Sequence, residues 1–268
     1  MAQKFQLGAL SPKQLQSWIE SDKRINIWEG AVRSGKTIAS ILRWLEYIKK
    51  SRDGELLMVG KTERTLKRNI LDVIEKIVGS KRYKLVQGNG EVYIYNRKIY
   101  IAGANDERAQ DKIRGMTLLG AYGDEITVWP ESFFKMLLSR LSEDDAKFFG
   151  TTNPDSPYHW LKTEYLDNPE LDLVSWHFVI DDNPHLSDKF VESLKKEYKG
   201  LWYKRFIQGL WVLAEGAIYD MWDENIHVRP APNTLDRFIV GIDYGTINPC
   251  TFGLYGWNNY KGFPVYLV

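Results

Sequence analysis

Apolar side chains follow two patterns along the chain, and the two patterns alternate. Apolar residues three or four positions apart, with start signals such as Ser11-Pro12, predict helices at residues 12–20, 36–49, 62–78, 130–141, 187–199 and from residue 156 onward. Short apolar runs predict strands at residues 25–28, 56–59, 83–86, 92–95, 98–102, 118–123, 147–150 and 173–179. This alternation predicts an α/β domain with a mostly parallel central sheet that is flanked by helices.

A break in composition divides the chain into two parts. The prolines at positions 230 and 232 predict a linker over residues 230–237, after a first domain of residues 1–229. Three more strands are predicted at residues 238–243, 250–256 and 264–268. We therefore expect residues 238–268 to begin a second domain.

Composition and charge narrow the class of protein. The chain has 268 residues, of which 44% are apolar and 26% charged, as is typical of a folded domain. Its formal net charge is only +1, so any contact with nucleic acid has to come from a local patch. Cys250 is the single cysteine, which excludes an intrachain disulfide. No apolar run reaches 18 residues, so we expect no membrane span.

Residues 30–37, GAVRSGKT, fit the phosphate-binding pattern G-x-x-x-x-G-K-[ST] at every fixed position, between a predicted strand and a predicted helix. Gly30 and Gly35 allow the tight turn that points backbone amides at phosphate oxygens. Lys36 is expected to reach the β- and γ-phosphates, and Thr37 to place its hydroxyl on Mg²⁺. This loop, a Walker A motif, therefore predicts nucleotide binding by Gly30, Ala31, Val32, Arg33, Ser34, Gly35, Lys36 and Thr37.

A pair of acids follows the apolar run at residues 118–123. Asp124 is expected to hold Mg²⁺ near the loop, and Glu125 to polarise the water that attacks the γ-phosphate. An Asp-Glu pair at the end of a buried strand, a Walker B motif, is typical of ATPases that convert hydrolysis into motion. The sequence therefore predicts a P-loop NTPase fold with ATP as substrate and Mg²⁺ as cofactor.

Several stretches, in this order, resemble the large terminase subunit of tailed bacteriophages, which is the DNA-packaging motor. They are residues 11–14, the loop at 30–37, residues 112–115 with the acids at 124–125, residues 149–154, and residues 205–212 followed by 215–219. The resemblance covers nearly the whole chain. It implies that ATP hydrolysis powers translocation of double-stranded viral DNA into a procapsid in the host cytoplasm. The partners it implies are DNA, the portal protein and the small terminase subunit, with no membrane. It implies a homo-oligomeric ring when the chain is assembled on the portal, with a monomer in solution as the alternative state.

The resemblance also implies roles for individual residues. Gln14 is expected to contact adenine, with Gln16 as a rival, and Arg33 to stabilise or sense the γ-phosphate. Residues 151–153 match the motif that couples hydrolysis to DNA movement, through Thr151, Thr152 and Asn153. A ring motor is expected to receive an arginine from its neighbour, and three arginines stay open as candidates: Arg64, Arg68 and Arg114.

Residues 238–243 resemble the first strand of the RNase H-like nuclease domain of large terminases. Asp243 would be the first metal ligand of that nuclease site. Because two-metal cleavage needs several converging acids, we expect this chain, which stops at residue 268, to lack nuclease activity.

Two other functions fit the same residues. In one, ATP is a structural ligand that docks the chain on the portal with little turnover; in the other, the chain is a helicase-like DNA translocase. A basic cluster at the start of the predicted helix 62–78 is a candidate DNA-facing patch: Lys61, Arg64, Lys67 and Arg68.

Overall fold

A computed structural model describes residues 8–86, 88–213, 228, 230, 234–244, 251–259 and 266–267. The chain divides into two compact units, Met1–Glu215 and Gly216–Val268. The helices of the first unit are α1 (Pro12–Glu20), α2 (Lys36–Lys50), α3 (Glu63–Leu66), α4 (Asp72–Val78), α5 (Glu131–Arg140), α6 (Asp188–Glu197) and α7 (Gly200–Phe206). Wider π-helical turns occur at Lys67–Leu71 and Leu161–Leu166. Short 3-10 turns occur at Ser80–Arg82, Glu107–Lys112, Ile126–Val128 and Ile180–Asp182.

Eight strands of the first unit form one sheet. In chain order they are β1 (Ile25–Gly30), β2 (Glu55–Gly60), β3 (Tyr83–Val86), β4 (Glu91–Ile94), β5 (Arg97–Gly103), β6 (Leu118–Gly123), β7 (Lys147–Thr152) and β8 (Leu173–Phe178). The order across the sheet is β3-β4-β5-β2-β6-β7-β1-β8. All pairs from β5 to β8 are parallel, whereas β3-β4 and β4-β5 are antiparallel. The predicted mostly parallel sheet is therefore confirmed.

Helices cover both faces of this sheet. Adjacent residues of a strand point to opposite faces, and Trp28 and Ile27 of β1 show this. Trp28 packs in one buried cluster with Trp44 of α2 and with residues of α4. Ile27 packs in a second buried cluster with Phe133 of α5. The continuous apolar runs of the sequence are explained by this burial on both faces.

The carboxyl ends of three neighbouring strands carry the predicted functional residues. The loop at residues 30–37 follows β1, the acids at 124–125 follow β6, and residues 151–153 lie at the end of β7, which is between β1 and β6. Parallel strands bring these ends to one edge of the sheet, where ligands of open α/β sheets bind.

Some helix bounds differ from the sequence-based expectation. The predicted helix 62–78 exists and is capped by Thr62, but the π-helical turn at Lys67–Leu71 interrupts it. The predicted start at Ser156-Pro157 was wrong, because residues 157–158 form a turn. The helical segment begins where the Leu161 amide donates to Nδ1 of His159.

Two further differences concern the end of α6 and the turn between β4 and β5. The predicted helix 187–199 exists and is capped by Ser187, but it ends at Glu197 because Tyr198 is extended, and a separate helix, α7, follows. β4 and β5 form a hairpin, and its turn begins at Tyr95, which the sequence assigned to the strand 92–95. Tyr95 and Asn96 both have positive φ, 54° and 65°, which is the backbone of a two-residue type I′ turn.

The second unit contains three antiparallel strands, β9 (Arg237–Asp243), β10 (Thr251–Trp257) and β11 (Tyr266–Leu267), in the order β11-β10-β9. Asp243 is the last residue of β9 and pairs with Thr251. Part of the predicted linker at 230–237 lies outside the described residues, as does Cys250. Among the described helices, none has the length and apolar character required to cross a bilayer.

Candidate functional site

The backbone of residues 30–37 turns tightly between β1 and α2, and two glycines make this possible. Gly30 has φ +126°, and a Cβ there would lie 2.0 Å from the carbonyl oxygen of Phe178. Gly35 has φ +84° and begins α2. The Ala31 amide donates to the Phe178 carbonyl at 2.7 Å, and the buried Ser34 hydroxyl donates to the Ala31 carbonyl at 2.8 Å. Hydrogen bonds to β8 and within the loop thus fix the shape of the loop.

Several amides of this loop are left without protein partners. Within the part of the chain that the structure describes, no hydrogen bond to a protein acceptor is made by the backbone amides of Arg33, Gly35, Lys36 and Thr37. Consecutive unpaired amides at the N-terminus of a helix form a concave, positively polarised site for anions. The loop therefore has the donors that a phosphate group requires.

Lys36 is the buried cation of the site. Its Nζ donates to the Ala31 carbonyl at 2.9 Å and to Oδ1 of Asn153 at 2.7 Å, and only 6% of the residue is exposed. Burial lowers the pKa of Lys36 to about 8, although the charges of Asp124 and Glu125 oppose the shift. Lys36 therefore connects the loop with the end of β7.

Asp124 follows β6 and is also buried, with 5% exposed. Oδ1 accepts from the Thr151 hydroxyl at 2.9 Å, and Oδ2 accepts from Nδ2 of Asn69 at 3.2 Å. Burial, and then the charge of Glu125, raises the pKa of Asp124 to about 6, while the two hydrogen bonds act in the opposite direction. Hydrogen bonds from β7 and from the π-helical turn at Lys67–Leu71 thus fix the carboxylate of Asp124.

Glu125 is held in an uncommon backbone conformation. It has φ 54° and ψ 56°, the left-handed region, and its amide lies 3.4 Å from the Thr151 hydroxyl oxygen. Strained conformations of this kind are found mainly where function requires a particular side-chain placement.

One cavity joins these groups. It has a volume of about 810 Å³. Its lining residues come from the loop, the π-helical turn, the β6 end and the β7 end: Val32, Arg33, Lys36, Thr37, Ile38, Asn69, Val73, Asp124, Glu125, Thr151, Thr152 and Asn153. The predicted loop, acids and coupling residues therefore meet at one site.

Thr152 and Asn153 connect the cavity to the turn after Glu125. The Thr152 hydroxyl donates to the Thr127 hydroxyl at 2.9 Å and accepts from the Thr127 amide at 3.1 Å. The Thr127 hydroxyl also donates to the Asn153 carbonyl at 3.1 Å. The turn that carries Glu125 is therefore fixed to the β7 end by side-chain hydrogen bonds.

Arg33 and Gln14 lie beside the loop but outside its centre. The Arg33 guanidinium lies over the Phe190 ring, 5.4 Å from its centroid. Gln14 is 1% exposed; its amide nitrogen donates to the Gly35 carbonyl at 3.1 Å, and its oxygen accepts from the Ser11 amide at 2.8 Å. Gln14 therefore ties α1 to the loop in this structure.

The remaining candidates are spread over the surface. Arg64 and Arg68 are exposed at α3 and the π-helical turn, where Nε of Arg68 donates to Asn69 at 3.2 Å. Arg114 forms an ion pair with Asp111 at 3.3 Å. Asp243 is exposed in the second unit, and the described residues contain no group of three His, Cys, Asp or Glu side chains that could hold a metal.

Sequence reasoning missed two residues that contact the site, Asn69 and Thr127. Asn69 interrupts an otherwise apolar helical face formed by Leu66, Ile70 and Val73, and that interruption is a signal the sequence contains. No pattern singles out Thr127, because its partners are on β7.

Known proteins match the chain over most of its length. The family model "Terminase large subunit, T4likevirus-type, N-terminal" matches residues 27–226. The large terminase of a thermophilic bacteriophage in complex with ADP is 37% identical over 96% of this chain and 69% of that chain, with a TM-score of 0.71. The same terminase in complex with ATP-γ-S is 36% identical over 97% of this chain and 68% of that chain, with a TM-score of 0.70.

A more distant structure shows the same fold. The large terminase ATPase domain of Thermus phage P74-26 is 14% identical over 77% of this chain and 95% of that chain, with a TM-score of 0.55. No curated protein matches the chain. The match of the family model and the two 36–37% identical structures establish that this chain belongs to the bacteriophage terminase large-subunit family.

Proposed function

We propose that this chain hydrolyses ATP and uses the reaction to translocate double-stranded viral DNA into a procapsid. The observation that carries the proposal is the single cavity that contains a loop of unpaired amides, a buried lysine and a pair of acids. Family membership assigns a role in DNA packaging, and the ADP and ATP-γ-S complexes of a 36–37% identical terminase support nucleotide as the ligand.

Phosphate binding is assigned to the loop. The free amides of residues 33 and 35–37 and the Lys36 ammonium would bind the phosphate oxygens, with Lys36 exchanging its Asn153 partner for phosphate. The hydroxyl of Thr37 and the carboxylate of Asp124 line the same cavity and are the hard oxygen ligands that Mg²⁺ prefers. When bound, Mg²⁺ would neutralise charge on the β- and γ-phosphates.

Hydrolysis is assigned to Glu125 and Arg33. Glu125 would orient a water molecule for in-line attack on the γ-phosphate and draw its proton away from the attacking oxygen. Arg33 would stabilise or sense the γ-phosphate charge. This role requires its guanidinium to leave the Phe190 ring and turn into the cavity that Arg33 already lines.

Coupling is assigned to residues 151–153. Thr151 bonds Asp124, Asn153 bonds Lys36, and Thr152 bonds the Thr127 turn, so loss of the γ-phosphate would change partners along the whole β7 end. The adenine contact expected of Gln14 would require α1 to move away from Gly35, because the side chain is buried against it.

The partners that we propose are double-stranded DNA, the portal protein, the small terminase subunit and further copies of this chain in a ring. Arg64, Arg68 and Arg114 stay candidates for the arginine that one copy gives to the next. The Lys61–Arg68 stretch stays a candidate DNA contact, although its Lys67 pairs with Asp72 at 2.6 Å.

The test is the ATPase rate per chain as a function of protein concentration, with and without linear duplex DNA. We expect the rate per chain to rise with concentration and to rise again with DNA, because a ring supplies the neighbour's arginine and DNA engages the motor. A rate per chain that changes neither with protein concentration nor with DNA would contradict the motor function and favour nucleotide-gated docking.

A further inference from the structure

Glu29 is a buried acid that the proposed chemistry does not use. It precedes the phosphate loop directly, at the end of β1, and only 9% of it is exposed. Oε2 accepts from Nε1 of Trp211 at 2.5 Å, and Oε1 lies 3.3 Å from Nδ1 of His177 on β8. The hydrogen bond that His177 makes to the Glu29 carboxylate raises the pKa of His177 against the opposing effect of burial.

The segment that contains Trp211, residues 205–212, also rests on the loop backbone. Gly209 has φ +68°, and a Cβ there would lie 2.6 Å from the Ala31 nitrogen and 2.8 Å from Cα of Gly30. The Gln208 carbonyl lies 3.0 Å from Nε2 of His177. Only a glycine permits this approach, so the segment and the start of the loop form a fitted contact.

The same segment also contacts the chain that follows β7. Arg205 forms an ion pair with Asp155 at 3.0 Å, and the Val212 amide donates to the Asp155 carbonyl at 3.2 Å. Asp155 lies two residues after Asn153, which bonds Lys36. Residues 205–212 therefore join the first residue of the phosphate loop to the chain that leaves the coupling residues.

We propose that Glu29 acts as a latch, a contact that holds residues 205–212 against the start of the phosphate loop. Through this latch, residues 205–212 become more ordered when nucleotide orders the loop. Hydrogen bonds to a buried charged group are stronger than neutral ones, and the charge is shared by two donors from different elements. Residues 205–212 lie near the end of the described part of the first unit. The proposal rests on the proposed function, because nucleotide is its input.

The test is amide hydrogen exchange on the full chain, without nucleotide, with MgADP and with Mg²⁺ and ATP-γ-S. Two peptide groups are followed, one covering residues 28–38 and one covering residues 203–213. Trp211→Phe removes the indole N–H, and Glu29→Gln keeps the shape but removes the charge. Trp202→Phe is the matched control, because Trp202 is 51% exposed and packs on Phe206.

In the unaltered chain we expect nucleotide to slow exchange in both peptide groups. In Trp211→Phe and Glu29→Gln we expect nucleotide to slow exchange in the loop as before. In residues 203–213 the slowing by nucleotide is expected to be about tenfold smaller, which corresponds to the loss of one hydrogen bond to a charged group. Trp202→Phe is expected to behave like the unaltered chain. A purely structural role would raise exchange equally with and without nucleotide, and that result would overturn the latch.

The same experiment distinguishes a failure of nucleotide binding from a failure of the latch. If neither peptide group of the unaltered chain responds to nucleotide, nucleotide binding itself is contradicted. If the loop responds and residues 203–213 do not, or if both variants keep the segment's response, only the latch is overturned.

Discussion

Glu125 combines an uncommon backbone conformation with a place in the candidate site. It has a left-handed conformation, its amide faces the Thr151 hydroxyl, and its side chain lines the cavity that contains Lys36. A residue held in this way loses little freedom when a water molecule and a phosphate take positions beside it.

Replacement of this carboxylate separates binding from chemistry. We expect Glu125→Ala to keep its affinity for ATP, because phosphate binding depends on the loop amides and Lys36, and to lose hydrolysis by at least about a hundredfold. ATP affinity and single-turnover hydrolysis are the measurements. Glu192→Ala, on the exposed face of α6, is the control. Unchanged turnover in Glu125→Ala would remove the assigned role.

Single residues differ in how far the sequence predicts them. The spacing of residues 30–37 and the apolar run before Asp124 placed both halves of the site, because a motif in one segment contains its own evidence. Asn69 and Glu29 were missed because their partners, Asp124 and Trp211, are 55 and 182 residues away. The sequence does not show which distant element supplies the hydrogen-bond partner of such a polar side chain.

At the scale of elements, α1 supports the phosphate loop through its first turn. Ser11 caps the helix by accepting from the Gln14 amide at 3.2 Å, and the Gln14 side chain accepts from the Ser11 amide while it donates to Gly35. The capping box therefore also fixes the side chain that contacts the loop.

Loss of this cap is expected to be measurable as stability. Ser11→Ala should lower the free energy of unfolding by about 1 kcal/mol, since the Gln14 amide loses its acceptor. Thermal unfolding should show a melting temperature lower by roughly 2–4 °C. Ser193→Ala, whose exposed hydroxyl bonds Glu197, is the control. Equal melting temperatures for Ser11→Ala and the unaltered chain would contradict the capping role.

Elements were predicted better where local signals were strong. The predicted helix starts at Ser11, Thr62 and Ser187 are correct, and each of these residues caps its helix. The π-helical turn at Lys67–Leu71 has no local signal, since it brings Asn69 to Asp124 and so depends on a distant strand. Ser156-Pro157 carried a start signal, but the turn there is fixed by tertiary contacts of His159 with Thr127.

At the scale of the whole molecule, the division into two units gives a direct prediction. The complete candidate nucleotide site and both buried clusters belong to Met1–Glu215. We expect a chain of residues 1–215 to fold and to bind MgADP as tightly as the 268-residue chain. Circular dichroism with thermal unfolding and a nucleotide titration would check this. An unfolded or non-binding 1–215 chain would contradict the division.

The central claim is that the loop at residues 30–37 binds a triphosphate whose Mg²⁺ is shared with Asp124. Calorimetric titration with ATP-γ-S, with and without Mg²⁺, tests it in the unaltered chain, in Asp124→Asn and in the surface control Asp188→Asn. We predict that Mg²⁺ strengthens binding in the unaltered chain and the control, and that Asp124→Asn loses this gain by about tenfold or more. No binding by the unaltered chain, or an undiminished Mg²⁺ effect in Asp124→Asn, would contradict the account.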